Sequence, residues 1–380
     1  MPLIEWILGS LLAFYCLALV ALYLGFRGLC RQLPASPSTL SKAELPSVSV
    51  IVAARNEERN ISRLISCLTS QDYPREKLEI ILVDDRSEDG TWNAIEAAAK
   101  QYAFVKALRI TDTLPDFAPK KRAIDTAIRS AQGEMILLTD ADCTPPPKWV
   151  QTMVAYYQDG VAGVISYSPY RFDSPIPPLV RGMLALDYFS IFAVAAASSG
   201  LGWALTASGT NLSYRKQIFL DIGGFEPIKG IISGDDDLFL HEVIRKKLGT
   251  FTFALDPQAF VPAAAPTSWR QFWNQRIRYA SKGRHYGGAK TAGLLAVYVF
   301  NLCIVLGLAS GIAGISNVFW FSLALWAGKS LAEFIFLFHA ARRFNETALL
   351  TFFLPTAILH PFYITVFGFL GLFAKFRWKD

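Results

Sequence analysis

Residues 48–58 read VSVIVAARNEE and residues 79–91 read EIILVDDRSEDGT. Each begins as a run of aliphatic side chains and stops abruptly at polar ones, Arg55, Asn56 and Glu57 in the first, Asp84 and Asp85 in the second. Two more runs share this form, FVKALRI at 104–110 and EMILLTD at 134–140. Helical patterns fill the intervals at 58–70, 91–101 and 120–130. Strands apolar on both faces and separated by helices belong to a parallel sheet covered on both sides. The middle of the chain, 47–266, is therefore read as one α/β unit. Ligands of such sheets bind beyond the carboxyl ends of the strands. That edge collects Glu57, Asp84, Asp85, Asp140 and Asp142, and so many carboxylates on one edge mark a site.

Outward from this unit the chain turns apolar. Of 380 residues, 52% are hydrophobic and only 18% are charged, against about 25% charged in ordinary globular domains. Part of the chain therefore meets lipid, and intrinsic disorder is excluded. The stretch 4–26, IEWILGSLLAFYCLALVALYLGF, reaches the roughly 20 residues that cross a bilayer as a helix. No Lys or Arg precedes it, and Arg27 and Arg31 follow, which argues against a secretory signal and places the next segment in the cytoplasm. Residues 1–30 are read as this helix, and a Pro- and Ser-rich linker covers 31–46. Beyond 291 come runs long enough to span at 294–313 and 319–338, then a third block at 349–374. That block holds Pro355 and Pro361 and precedes Lys375, Arg377 and Lys379. A simple crossing would export those charges, so it is expected to turn back or lie at the interface, leaving Asp380 in the cytoplasm. The apolar segment 182–200, which contains Asp187, is expected at the interface or in the core. Cys16, Cys30, Cys67, Cys143 and Cys303 lie far apart, which gives no basis for a disulfide framework or a zinc site. The net charge of +6 suits anionic headgroups or phosphate ligands and makes no case for nucleic acid.

Four motifs carry chemistry, and each has a plainer reading. DDRSEDGT at 84–91 could accept hydrogen bonds from a nucleobase or ribose, or be a solvated turn. TDADC puts Asp140 and Asp142 one residue apart after a strand. Such a pair can share a hard cation with a diphosphate, because Mg²⁺ takes one or two carboxylates and fills its other positions with phosphate and water. ISGDDDLFLHEV at 232–243 opens a helix with three acids. One acid suffices as an N-cap, which leaves another free to act as a general base. SWRQFWNQRIRYASKGR at 268–284 alternates aromatic and basic residues at helical spacing, as an interfacial helix does. Gln275 and Arg278 could instead face a phosphate.

In this order the motifs resemble the family 2 glycosyltransferases, in their membrane-bound branch. The resemblance covers about 46–290 and implies a GT-A fold, a Rossmann-like and mostly parallel sheet, with one N-terminal and about three C-terminal membrane helices. VSVIVAARNEE looks like the family's opening strand, which implies donor contacts from Ala53, Arg55 and Glu57. VDDRSEDGT looks like its base-binding loop, implicating Asp85 and Asp84. Lys120 stands where the family has a phosphate-reaching lysine, with Pro119 replacing a glycine. Asp140 and Asp142 match its metal-binding DxD, which implies Mg²⁺ or Mn²⁺. GTNLSYRK (209–216) with IGGF (222–225) resembles the border of the acceptor site. GDDD matches the catalytic-base motif in two registers. Counting from Gly234 gives Asp236, the favoured residue, and counting back from Leu238 gives Asp235. QRIRY (275–279) matches the QxxRW pattern with Tyr279 for Trp, which implies donor contacts from Gln275, Arg276, Arg278 and Tyr279 within an interfacial segment 267–290.

The implied reaction is single-displacement, inverting transfer of one sugar from a nucleotide-diphosphate donor, with a UDP-sugar as the expected form. The expected acceptor is a lipid, of ceramide, polyprenyl or carotenoid type, or a glycan. The expected location is the inner (plasma) membrane, multi-pass through 291–380, with the catalytic domain facing the cytoplasm. A processive polysaccharide synthase would use the same residues but needs a lumen among several spans. A transporter with a nucleotide-binding cytoplasmic domain is the other alternative, because Lys329 and Glu333 lie inside a span. Their spacing also lets them pair on one helix face.

Overall fold

The computed structural model describes residues 2–31 and 44–373. Residues 32–43 of the expected linker, and Asp380 with its cytoplasmic placement, lie outside them. Helix α1 (Pro2–Arg31) precedes the α/β unit. The unit then runs β1 (Val48–Ala54), α2 (Glu58–Thr69), β2 (Leu78–Asp85), α3 (Thr91–Gln101), β3 (Val105–Ile110), α4 (Pro119–Ser130), β4 (Met135–Leu138), α5 (Trp149–Ala155) and β5 (Val161–Ser166). It continues with β6 (Tyr170–Arg171), α6 (Pro178–Gly200), β7 (Leu212–Arg215), α7 (Lys216–Asp221), α8 (Asp237–Arg245), β8 (Thr250–Ala254) and β9 (Ala263–Ala264). Helices α9 (Trp269–Ser281), α10 (Gly288–Ala309), α11 (Ser316–Phe344) and α12 (Phe353–Phe373) follow.

Seven strands form one sheet in the order β3-β2-β1-β4-β7-β5-β8. Strands β1 to β4 are parallel, with Val48 opposite Leu78 and Met135. Every residue of β2 is buried, as a strand covered on both faces requires. Strand β7 runs antiparallel between β4 and β5, a reversal that nothing in the sequence predicted. The small pair β6 and β9 stands apart from this sheet.

Among the described residues five helices, α1, α6, α10, α11 and the segment ending in α12, are long and apolar enough to cross a membrane. Sequence reading expected four, with 182–200 at an interface or in the core. That segment is α6, whose Phe189, Phe192 and Ala193–Ala197 face belongs to the main apolar core. It crosses α1 at two glycines. A Cβ on Gly25 would lie 2.3 Å from the Ala197 carbonyl, and one on Gly200 would lie 2.0 Å from the Gly25 carbonyl. Small residues are what let helix backbones approach this closely.

The last block was expected to turn back or to lie at the interface, and of these two it does not turn back within α12. Helix α12 continues through Pro361, because a proline removes one internal hydrogen bond without forcing reversal, and neighbouring helices support the kink. Lys329 and Glu333 do pair along α11, at 2.8 Å. Tyr15 of α1 donates to the same glutamate at 2.5 Å, and His360 Nδ1 of α12 lies 3.0 Å from Lys329. The charges thus meet partners on three helices.

Candidate active site

Strand β4 stops at Leu138, and the turn after it carries Asp140 and Asp142 out of the sheet edge. Lys120, in the first turn of α4, donates from Nζ to Asp140 Oδ1 at 2.8 Å and lies 3.2 Å from Asp235 Oδ2. Burial would discharge this lysine, but Asp140 and Asp235 outweigh it and hold the ammonium strongly protonated. Asp142 is pushed up to about 6 by burial and by the neighbouring Asp140. Backbone passes close on the other side. A Cβ on Gly209 would sit 3.3 Å from Asp235 Oδ2 and 3.4 Å from Lys120 Nζ.

The three consecutive acids have three different surroundings. Asp237 is saturated, accepting from Ala207 N at 2.7 Å, Thr206 Oγ1 at 2.9 Å, Lys282 Nζ at 2.8 Å and the Tyr286 hydroxyl at 2.8 Å. Asp236 caps α8. Its Oδ1 accepts from Asp237 N at 2.7 Å and Lys282 Nζ at 3.1 Å, and its Oδ2 accepts from Gly209 N at 3.2 Å. Burial opposes its ionisation, yet Lys282 and these donors hold it well below the usual carboxylate range. Asp235 meets Lys120, and among the described residues its Oδ2 has no hydrogen-bond partner. The N-cap reading therefore describes Asp236, whereas the Asp235 carboxylate pairs through Oδ2 with Lys120 and makes no hydrogen bond among the described residues.

Helix α9 supplies the opposite wall. Ser268 caps it, accepting from Gln271 N at 3.2 Å. Residues 275, 278, 279 and 282 share one face by the i, i+3, i+4 and i+7 rule. Gln275, Arg278, Tyr279 and Lys282 line one cavity of about 120 Å³ with Lys120, Asp140, Asp142, Asp235 and Asp236. Arg276, expected among the donor contacts, does not line it. Two residues before Arg278 it points the other way, buried, its Nη2 2.6 Å from Asp187 of α6. The rings of Phe272, Tyr279 and Tyr363 surround that guanidinium.

The remaining candidates form a neighbouring cluster at the ends of β1 and β2, outside this cavity. Ala53 and Arg55 are half-buried there. Glu57 N donates to Thr91 Oγ1 at 2.8 Å, and Asn56 N donates to Ser87 Oγ at 3.0 Å, so the two strand-end turns are tied together. Asp84 is fully buried, 3.6 Å from Arg109, and neither of its oxygens has a hydrogen bond among the described residues. Asp85 is gripped by the Arg86 guanidinium at 2.8 and 3.2 Å.

Sequence reasoning missed Lys282, Tyr170, Tyr188, Ser208 and Ser233, all in the cavity lining, whereas Gly209 and Thr210 there belong to the 209–216 segment already singled out. Only Lys282 carried a signal, because it continues the face of Gln275 and Arg278. Tyr170 stacks on Tyr188 at 3.9 Å and donates to Gln275 Oε1 at 3.0 Å. Its position depends on a two-residue strand that no periodicity announces. Among the described residues no cluster of three His, Cys, Asp or Glu could hold a metal unaided. Asp140 and Asp142 offer two carboxylates and open space, a donor set that suits a hard cation completed by phosphate oxygens.

Residues 49–223 match the profile of Glycosyl transferase family 2. Over that stretch the chain is similar to the family 2 glycosyltransferases. A Bacillus subtilis (strain 168) relative, named probable glycosyltransferase YdaM, is 28% identical over 251 residues, covering 64% of this chain and 56% of its own. The beta-monoglucosyldiacylglycerol synthase of Synechocystis sp. is 26% identical over 247 residues, covering 64% of this chain and 49% of its own. The chain thus spans about half the length of these relatives. In three dimensions the glycosyltransferase domain and its helices resemble a mannosyltransferase from Pyrobaculum calidifontis, solved with GDP-Man and Mn²⁺. The TM-score is 0.57 at 20% identity, over 93% of this chain and 98% of that one. The likeness establishes the GT-A fold.

Proposed function

We propose that the protein is a membrane-bound inverting glycosyltransferase that moves one sugar from a nucleotide-diphosphate donor to a lipid acceptor. The observation carrying this reading is the cavity that gathers Lys120, Asp140, Asp142, Asp235 and Arg278, with Lys282 only six residues before membrane-length helix α10 begins at Gly288. A lipid headgroup can reach such a cavity from the bilayer surface without its chain leaving the apolar phase. The Synechocystis relative, whose name gives a glycolipid product, supports the acceptor class. A UDP-sugar is the proposed donor, and catalysis is placed on the cytoplasmic face of the plasma (inner) membrane.

In this reading the nucleoside lies along the ends of β1 and β2. Asp84, whose carboxylate makes no hydrogen bond among the described residues, forms with Asp85, Ala53, Arg55 and Glu57 the wall proposed to meet a base and ribose. Lys120 and Arg278 face the diphosphate, and Arg278 can hold two phosphate oxygens at once. Asp140 and Asp142 would hold Mg²⁺ or Mn²⁺, which would supply Lewis-acid stabilisation to the diphosphate leaving group. Tyr170, Tyr188 and Tyr279 wall the sugar space. Asp235 takes the proton of the acceptor hydroxyl as that oxygen attacks the anomeric carbon. Asp236, with both oxygens engaged, positions Lys282 and the start of α8 instead.

The experiment is incubation of the purified full chain in lipid with a panel of labelled nucleotide-sugars, followed by organic extraction. Label in a lipid of one added sugar supports the reading. Label in an insoluble polymer identifies a polysaccharide synthase, and no turnover of any donor rejects transfer chemistry.

A further inference from the structure

Lys121 follows the cavity lysine in sequence, yet it is fully buried on the other side of the helix turn. Its ammonium donates to three backbone carbonyls, Ile228 at 2.9 Å, Ile231 at 2.6 Å and Ser233 at 2.9 Å. An ammonium has three N–H donors, and each is used. All three acceptors belong to the segment that leads into Gly234 and Asp235. The same segment is tied a second time, where Ala118 N donates to Lys229 O at 2.7 Å. At its end Gly234 sits at φ +89°, and a Cβ there would lie 2.6 Å from the Leu238 side chain. The chain therefore turns into the acids at a point with little freedom, and the ammonium fixes what precedes it.

We propose that Lys121 is a positioning residue for transfer, its ammonium acting as the internal cation that folds segment 228–233 and so sets Asp235 against the acceptor. The inference rests on the glycosyltransferase reading above. Two adjacent lysines thereby divide the work, Lys120 facing the substrate and Lys121 holding the loop.

The need for three donors makes the arrangement sensitive to alkali. A neutral amine has two N–H groups and turns a lone pair toward the third carbonyl. Burial brings the Lys121 ammonium down to about 8, against the pull of Asp235 and Asp236, and Lys282 adds to the lowering. His285 is the other titratable group facing it, and it is itself held neutral by burial and by Arg284.

The test compares Lys121→Met and Lys121→Arg with the wild type as full chains in detergent. A catalytic group misplaced by about 1 Å costs on the order of 100-fold. Lys121→Met should therefore lower kcat at least about tenfold while donor KM stays within about twofold, because the donor groups are untouched. Wild-type kcat should fall above about pH 8, and Lys121→Arg, which keeps partial activity and stays charged, should lack that fall. Hydrogen exchange of amides 228–234, read on the same samples, should accelerate in Lys121→Met. Unchanged kcat in Lys121→Met, or unchanged exchange in that segment, overturns the proposal. If the wild type turns over no nucleotide-sugar, the glycosyltransferase reading fails, and the exchange measurement still decides whether Lys121 anchors the loop.

Discussion

Replacing Asp235 and Asp236 separately by asparagine separates a base from a cap, two roles that sequence spacing could not assign. In Asp235→Asn the loss is local. Lys120 retains its 2.8 Å bond to Asp140, so the donor side of the cavity keeps its charge balance. Removing a general base costs about 10²- to 10⁴-fold in turnover, equivalent to roughly 3–5 kcal/mol of barrier. Donor KM and melting temperature should hardly move. Asp236→Asn has the opposite profile. The carboxylate gathers three donors, Asp237 N, Lys282 Nζ and Gly209 N, and an amide replaces one accepting oxygen with an N–H group. Leaving such buried donors poorly satisfied costs about 1–3 kcal/mol. For a domain of this size that is several degrees of melting temperature, at about 2–4 °C per kcal/mol. Lys282 still has Asp237 at 2.8 Å, so turnover should fall by less than about tenfold, following stability. The pH dependence differs as well. Asp236 is held below the ordinary carboxylate range, so its contribution is present above about pH 4 and fades as pH falls below that. Asp236→Asn should flatten that acid limb of the melting curve. Initial rates with a labelled donor, beside thermal melts across pH 3–7, test both. Full turnover in Asp235→Asn, with loss of turnover and unchanged melting in Asp236→Asn, would refute the assignment.

Asp140→Ala and Asp142→Ala should each abolish transfer, as should a chelator added to the unaltered protein. Because Asp142 titrates at about 6 and a metal needs the carboxylate, Mn²⁺ affinity should drop about tenfold between pH 7 and pH 5. Mn²⁺ titration by paramagnetic resonance checks this, and Asp140→Asn should move the transition to lower pH by removing the charge that raises Asp142. Arg278→Lys should weaken donor use more than a charge-conserving change normally does, since an ammonium cannot reproduce the two-pronged grip. Unchanged donor KM and kcat would assign that arginine to the lipid interface. Arg276→Leu should destabilise by about 1–3 kcal/mol, because it leaves the half-buried Asp187 carboxylate without its ion-pair partner. Asp187→Leu in the same chain should recover much of the loss, as read by melting.

The residue order settled a good deal before any tertiary contact was considered. Runs such as 48–54 and 79–85 are apolar on both faces, so they could be stable only inside a parallel sheet, and β1 and β2 lie there in register. The break from apolar to acidic at Asp84 and Asp140 marked the strand ends to within two residues, although Asp84 and Asp85 are still buried within β2. Helix spacing placed Gln275 and Arg278 on one face, yet it could not say which face met the cavity, so Arg276 was grouped with residues it opposes. Three adjacent acids look identical in a sequence. Only the fold brings Lys282, the backbone of Gly209 and Lys120 to them from distant segments, and those partners decide which carboxylate is hydrogen-bonded and which is only ion-paired. The reversal at β7, the core position of α6 and the continuous α12 also depended on neighbours far along the chain. Local sequence determines what a segment can bury, whereas a group's charge and direction depend on what is packed against it.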